Sequence, residues 1–369
     1  MSRETSAAEQ STSGAAPKTF PCESCGADLE FNIGAQQLKC PYCSFEKQIA
    51  LEDDASVEEQ DLEGMLSKQA SLRKHPPTEA DHVISCTTCA AEVVFDKTVI
   101  SSECPYCGSP VQSTQGKIQE NKIPPDAVLP FLVEKSSANE NLKKWVASRW
   151  FAPNEFKRRG VDGAFNGLYL PHWTFDAMTY CKWKGERGDH YYVKNSDGEK
   201  VRKTKWRRVR GSFQRFFDDT LVCAARDAKR ALMEKLEPWP LGKLLPFNQE
   251  SLAGYMAMTY EVDLPEGFSI GKTRMEDSLR QDVRRRIGGD EQRISSMDVR
   301  YDALTFKNVL LPVWMLAYRY KDKSYQLVVN ACTGEVQGER PWSWVKITAA
   351  AFVGLCALGA LAWLKNQGS

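Results

Sequence analysis

The 369-residue sequence predicts an α+β chain with mainly antiparallel strands, two small cysteine-rich modules ahead of it and one apolar helix behind it. Three observations predict this. A pair of C-x2-C knuckles separated by fourteen residues occurs twice, at Cys22, Cys25, Cys40 and Cys43 and at Cys86, Cys89, Cys104 and Cys107. Between residues 123 and 340, helical spacing of apolar residues gives way repeatedly to strand-like alternation. Residues 347–364 form an eighteen-residue run without a charge.

Composition sets the bounds. Hydrophobic residues make up 42% of the chain and there are ten tryptophans, enough for a substantial core in two or three domains. A net charge of +1 gives no global attraction to nucleic acid. Eight of the twelve cysteines lie in the knuckles, and the other four (Cys181, Cys223, Cys332 and Cys356) read as small apolar fillers. Residues 1–18 are rich in Ser, Ala, Thr and Gln and lack an apolar stretch, so they read as a disordered leader and not a signal peptide.

The knuckle modules, residues 19–50 and 84–113, come first. Four thiolates at this spacing close a tetrahedral shell around one Zn²⁺, because each C-x2-C turn aims both its sulfurs at one metal. The sequence therefore predicts two zinc ribbons and two structural Zn²⁺ sites. A disulfide framework does not demand identical spacing in two copies. So small a module relies on coordination, about 10 kcal/mol or more, for most of its folding free energy. Phe20, Leu29, Phe31, Leu38 and Phe45 are its expected apolar packing. Thiolate sites favour a reducing compartment, hence the cytosolic side of a membrane.

Residues 51–83 form an acidic linker, with Glu52, Asp53, Asp54, Glu58, Glu59, Asp61 and Glu63. Leu51, Val57, Leu62, Met65 and Leu66 fit a short helix that His75-Pro76-Pro77 ends. Acidic charge here is the wrong sign for gripping phosphate.

The body, residues 123–340, repeats short phrases. Leu129-Pro130-Phe131 returns as Leu245-Pro246-Phe247, and Leu170-Pro171-His172-Trp173 returns as Leu311-Pro312-Val313-Trp314. The order suggests two related halves, near 123–238 and 239–338, with each LPxW phrase opening a strand. Leu142, Trp145, Val146 and Trp150 predict a helix over Asn139–Phe151, ended by Pro153. Met275, Leu279, Val283 and Ile287 predict another, stopped by Gly288-Gly289. Trp173, Phe175, Ala177, Thr179 and Cys181 alternate as a strand should. Asp197-Gly198 and Thr333-Gly334 read as hairpin turns.

The uncharged run 347–364 makes a helix of about 27 Å, at the short end for a hydrocarbon layer of about 30 Å. Trp342, Trp344 and Trp363 lie near its ends, as interfacial tryptophans do. Five residues follow it, so it reads as a tail anchor. Arg340 and Lys346 before it and Lys365 after it slightly favour a cytoplasmic body.

Three features could carry other chemistry. Gly267 to Thr273 ends Gly-Lys-Thr, but three residues stand between its glycines where a phosphate loop needs four, which disfavours a nucleotide-dependent enzyme. Lys200 to Arg210 holds seven basic residues among eleven, with Trp206 and no acid. A solvated hairpin arm, contact with anionic lipid and contact with nucleic acid all fit it. The four histidines form no metal-hydrolase motif, and His172 with Asp176 lacks a nucleophile, so no catalytic residues and no enzyme are expected.

Taken together, the two CPYC-ending ribbons, Trp150–Phe156, Tyr169–Ala177, Ile287–Asp290, Asn330–Val336 and Gly338–Pro341 resemble a bacterial family of zinc-ribbon membrane proteins. That family is often labelled as like the primosomal replication-restart helicase, although no helicase core is present here. Ala331 stands where relatives commonly have glycine. The resemblance implies a bacterial inner-membrane protein with its bulk in the cytoplasm. It also implies an adaptor role beside phage-shock-type or SPFH-like scaffold proteins. A membrane-held nucleic-acid-binding protein is the disfavoured alternative.

Overall fold

The computed structural model describes residues 20–49, 57–72, 123–159, 165–226, 230–320 and 323–367, isolated positions aside, and the backbone of short strands between 80 and 120. The leader and Cys86, Cys89, Cys104 and Cys107 lie outside the described residues. The first ribbon is β1 (Glu30–Asn32), β2 (Gln37–Lys39) and β3 (Glu46–Lys47), paired antiparallel in that order. Next come β4 (Gln60–Asp61) and α1 (Leu62–Leu72). At the second cysteine module, β5 (Ala80–Ser85) pairs antiparallel with β6 (Glu92–Val94) and with β9 (Gly116–Glu120), while β7 (Ser101–Glu103) pairs with β8 (Pro110–Gln112).

The body contains β10 (Ala127–Val128), α2 (Lys135–Ala147), α3 (Asn154–Arg159), β11 (Asn166–Lys194), β12 (Lys200–Cys223) and α4 (Arg230–Met233). After these come β13 (Leu245–Pro246), β14 (Met256–Ala257), α5 (Leu264–Ile287), β15 (Glu291–Tyr320), β16 (Lys323–Asn330), β17 (Val336–Gly338) and α6 (Trp344–Gln367). The body strands and β4 form one nine-stranded sheet along the path β12-β11-β15-β10-β13, with β14 on β11, β16 and β4 on β15, and β17 on β16. Among the described residues, only β10–β15 and β11–β14 pair in parallel within it. Among the described residues the fold is thus mixed helix and sheet with mostly antiparallel strands, as the sequence predicts.

A local two-fold relates two parts of the body. Leu170 pairs with Leu311 in the β11–β15 ladder, so the two LPxW phrases meet at the axis. The Trp173 indole donates to Val262 O at 2.9 Å, and the Trp314 indole donates to Val133 O at 2.8 Å. Met258 N donates to Tyr169 O and Leu129 N to Leu310 O, each at 3.0 Å. Val262 N donates to Ala224 O, and Val133 N donates to Ala331 O. The axis therefore equates β10 with β14, α2 with α5, β11 with β15, and β12 with β16. Each unit's short parallel strand lies on the other unit's long strand, which interlocks them.

This corrects three expectations. The second unit begins at β14, not at residue 239, and Leu245-Pro246-Phe247 is not the counterpart of Leu129-Pro130-Phe131. Instead β13 pairs with β10. The LPxW phrases do not open strands; they lie well inside β11 and β15. Proline is tolerated there because the neighbouring strand stops beside it. Beyond Cys223 and Asn330 the ladders end, and Pro171 O and Pro312 O still accept from Ala224 N and Ala331 N.

The helices shift too. α2 starts and ends four residues before the expected bounds, so Trp150 falls outside it and is exposed. Ser148 caps its end, with its hydroxyl on Trp145 O. α5 is eleven residues longer at its start than expected. Asp263 caps it by accepting from Glu266 N, and Pro265 occupies the first turn, where a missing N–H costs nothing. The Gly267–Thr273 stretch is therefore helix and not a phosphate loop.

Both α2 and α5 cover one face of the sheet. Ala138, Leu142 and Val146 pack with Phe131, Tyr169 and Trp314, while Met275, Leu279 and Val283 pack with Trp173, Phe175 and Ala177. The opposite face carries Leu168, Leu170, Val309, Leu311 and Val313 beneath α4 and Trp239. Cys181 and Cys223 are buried fillers as expected, whereas Cys356 is exposed on α6.

Candidate metal centre

The first ribbon is built by two equivalent turns. Gly26 N donates to Cys22 O at 2.8 Å, and Ser44 N donates to Cys40 O at 3.0 Å. The residue after each second cysteine is left-handed, Gly26 at φ +72° and Ser44 at φ +61°. That reversal returns each chain so that Cys22 N meets Ala27 O and Cys40 N meets Phe45 O. Leu29, Phe31 and Leu38 are buried beside Cys22 and Cys40, so the expected apolar packing is present.

The four sulfurs of Cys22, Cys25, Cys40 and Cys43 lie within 4.8 Å of one another. Cys22 and Cys43, and Cys25 and Cys40, are each 3.5 Å apart at sulfur. That is far too long for a disulfide of about 2.05 Å. It is close to the sulfur separation of about 3.8 Å in a tetrahedral shell with a Zn–S distance of about 2.3 Å. Backbone N–H groups of Cys43 and Tyr42 aimed at Cys40 pull its thiol down to about 7. At Cys25 the Ala27 N–H also lowers the thiol pKa, but the neighbouring sulfurs of Cys40 and Cys43 outweigh it and raise the thiol to about 12. Four thiolates this close repel unless a cation sits among them. The donor set fits one Zn²⁺ with no open coordination position.

The ribbon is seated on the body. Phe31 N donates to Ala253 O at 3.1 Å, and the Gln36 amide donates to Phe131 O at 3.1 Å. Ala253 and Tyr255 join the ribbon's apolar cluster. Tyr255 stacks on Phe131 with ring centroids 4.1 Å apart, linking that cluster to the core near the two-fold.

The linker is also part of the body. β4 extends the sheet beside β15, and α1 buries Leu62 against the cluster beneath α5. Glu59 bonds Thr305 at 2.7 Å and Lys307 at 3.2 Å. Lys307 Nζ also lies 2.8 Å from Asp219 and 3.8 Å from Asp176. Nothing in the sequence pattern marks Lys307, because a lone lysine in an alternating strand looks solvated. Burial raises the Asp176 carboxyl, and the neighbouring Glu59 carboxyl acts in the same direction, while Glu59 itself is held low by Asp176, Thr305 and Lys307 around it. Asp176, Asp218 and Asp219 offer clustered carboxylates, but Lys307 already supplies their cation.

The remaining candidates separate. His172 is buried with its Nδ1 3.0 Å from Leu170 O, and burial lowers it to about 4. His190 bonds Glu291 at 2.7 Å near the far end of the sheet. The basic arm is β12, an edge strand whose Lys and Arg residues discourage further strand pairing. The Arg293 guanidinium covers the Trp206 ring at 3.8 Å.

The expected span at 347–364 lies on α6, whose described side chains stop at Gly359. Among the described residues no helix is long and apolar enough to cross a membrane. From Thr348 to Gly359 every residue of α6 is exposed, Phe352, Val353, Leu355 and Leu358 among them.

No family model matches the chain. It is similar to the uncharacterized protein YdjG of Bacillus subtilis (strain 168), with 25% identity over 350 residues covering 90% of this chain and 92% of that protein. No solved structure matches it.

Proposed function

We propose that the chain is a membrane-anchored zinc-ribbon adaptor. It would hold partner proteins at the cytoplasmic face of the bacterial inner membrane through two structural Zn²⁺ ribbons. The observation that carries this reading is the pairing of a closed four-thiolate site with α6. A shell filled by four cysteines stabilises a fold and leaves no position for substrate. Between Thr348 and Gly359 the side chains of α6 face outward on all sides, so that stretch has no protein core to enter, and residues 347–364 carry no charge. The resemblance to zinc-ribbon membrane proteins supports phage-shock-type or SPFH-like scaffolds as the partner class. The nucleic-acid alternative is weakened at Trp206, whose face is already occupied by Arg293.

The test uses full-length protein solubilised in detergent, with metal and captured proteins measured on the same sample. Two zinc ions per chain are expected. Replacing Cys40 and Cys43 by Ser should remove one ion and the captured partner while leaving the protein in the membrane fraction. Capture that survives loss of the metal would sink the docking role. Deleting residues 347–369 should release the chain to the soluble fraction; retention in the membrane would sink the anchor.

A further inference from the structure

At the start of α6 the body presents an aromatic and basic surface that the anchor alone does not require. Ser343 N donates to Phe151 O at 2.8 Å. Lys346 Nζ donates to Ala152 O at 2.9 Å and to Asn154 Oδ1 at 2.7 Å. These bonds hold the turn between α2 and α3 against the first turn of α6. Three tryptophans stand exposed there: Trp150 at 71%, Trp342 at 55% and Trp344 at 75%. Phe151 lies 6.5 Å from Trp342 by ring centroid. Arg340 covers the Trp342 ring at 4.3 Å, and Arg149 covers Trp145 at 4.3 Å. Burial and the like charge of Arg340 lower the Arg149 guanidinium, and Glu335 offsets part of this.

A soluble protein gains nothing by exposing three large indoles on two segments that meet at the start of α6. Indoles and guanidiniums are, however, the side chains that favour the layer between hydrocarbon and headgroup, where the ring is half-solvated and the cation meets phosphate. We propose that the α2–α3 turn, with Arg340 and Trp342, is a collar that seats the body on the phospholipid headgroup layer. Trp150 then inserts beside α6, though it lies almost two hundred residues earlier in the chain. This rests on α6 being an anchor and adds a second, non-spanning contact. Lys346 fixes the collar to the helix, so the body is held at a set height and does not swing on a free tether.

Hydroxyl-radical footprinting tests this on the full chain reconstituted into vesicles of phosphatidylglycerol and phosphatidylcholine. Oxidation at each aromatic residue is read by mass spectrometry and normalised to the unfolded chain. Tyr42 on the ribbon, 82% exposed, serves as the water-facing reference, and Phe352 reports on α6. The collar predicts that both Phe352 and Trp150 are protected several-fold more than Tyr42. Protection of Phe352 with Trp150 oxidised as readily as Tyr42 would overturn the collar and leave the anchor standing. Oxidation of Phe352 would overturn both.

Discussion

At Gly267 and Gly271 the missing Cβ sets how closely α5 approaches the sheet. A Cβ at Gly267 would lie 2.5 Å from Trp173 Cδ1, and one at Gly271 would lie 2.8 Å from Phe175 Cδ2. Both rings are fully buried and have no room to yield. Alanine gains about 1 kcal/mol of helix propensity over glycine, but overpacking costs about 1–3 kcal/mol. Gly267→Ala and Gly271→Ala should each lower stability in denaturant titrations, Gly267→Ala the more. His172 gives a second residue-scale outcome. Its folded pKa of about 4 lies below the ordinary 6.5, so the unfolded chain binds more protons between those values. Stability is complete above pH 6.5 and should fall on acidification toward pH 4, by on the order of 3 kcal/mol from this group. His172→Gln should flatten that slope in chemical denaturation; an unchanged slope assigns it to other groups.

At the scale of elements, the two-fold makes a testable statement about equivalence. Trp173 ties β11 to the segment entering α5, and Trp314 ties β15 to the segment entering α2. Each indole N–H reaches a carbonyl just before a helix cap, so each bond fixes where a helix starts. Trp173→Phe and Trp314→Phe should each destabilise by about 1–3 kcal/mol, because each removes the indole donor from a buried or half-buried carbonyl. Unequal costs measured by denaturant midpoints would show that the two units are related in shape but not in energetics. The sequence carried the repeat as the LPxW phrases, yet it mispaired the LPF phrases. Phe131 corresponds spatially to Tyr260 and the Glu134 cap position to Asp263, chemically similar residues that share no phrase. Repeats survive as packing roles more than as spelling.

For the whole molecule, the ribbon, the linker and the body share one set of contacts. The ribbon's Phe31 amide bonds the body at Ala253, and Glu59 of the linker joins the Lys307 cluster. Removing the proposed metal from the Cys22, Cys25, Cys40 and Cys43 tetrad should therefore act locally first. Treating the protein with a strong chelator should raise amide exchange across residues 20–47. The β11–β15 ladder, with its own apolar cover on both faces, should stay protected. Parallel loss of protection in that ladder would mean that the metal holds the body as well as the ribbon.

The sequence by itself determined what depends on neighbours along the chain. The convergence of Cys22, Cys25, Cys40 and Cys43 into a tetrad able to hold a metal, the hairpin turns at Gly198 and Gly334 and the uncharged run at 347–364 could be read because spacing and local conformation specify them. Their glycines are left-handed in the fold, Gly198 at φ +81° and Gly334 at φ +78°. Only the tertiary structure decided which phrases are equivalent, that Gly267–Thr273 is helix against an indole, and that Lys307 is buried among acids. It also placed Trp150 beside the first turn of α6. Each of these depends on partners far apart in sequence, brought together by strand registers and close packing that no local pattern encodes.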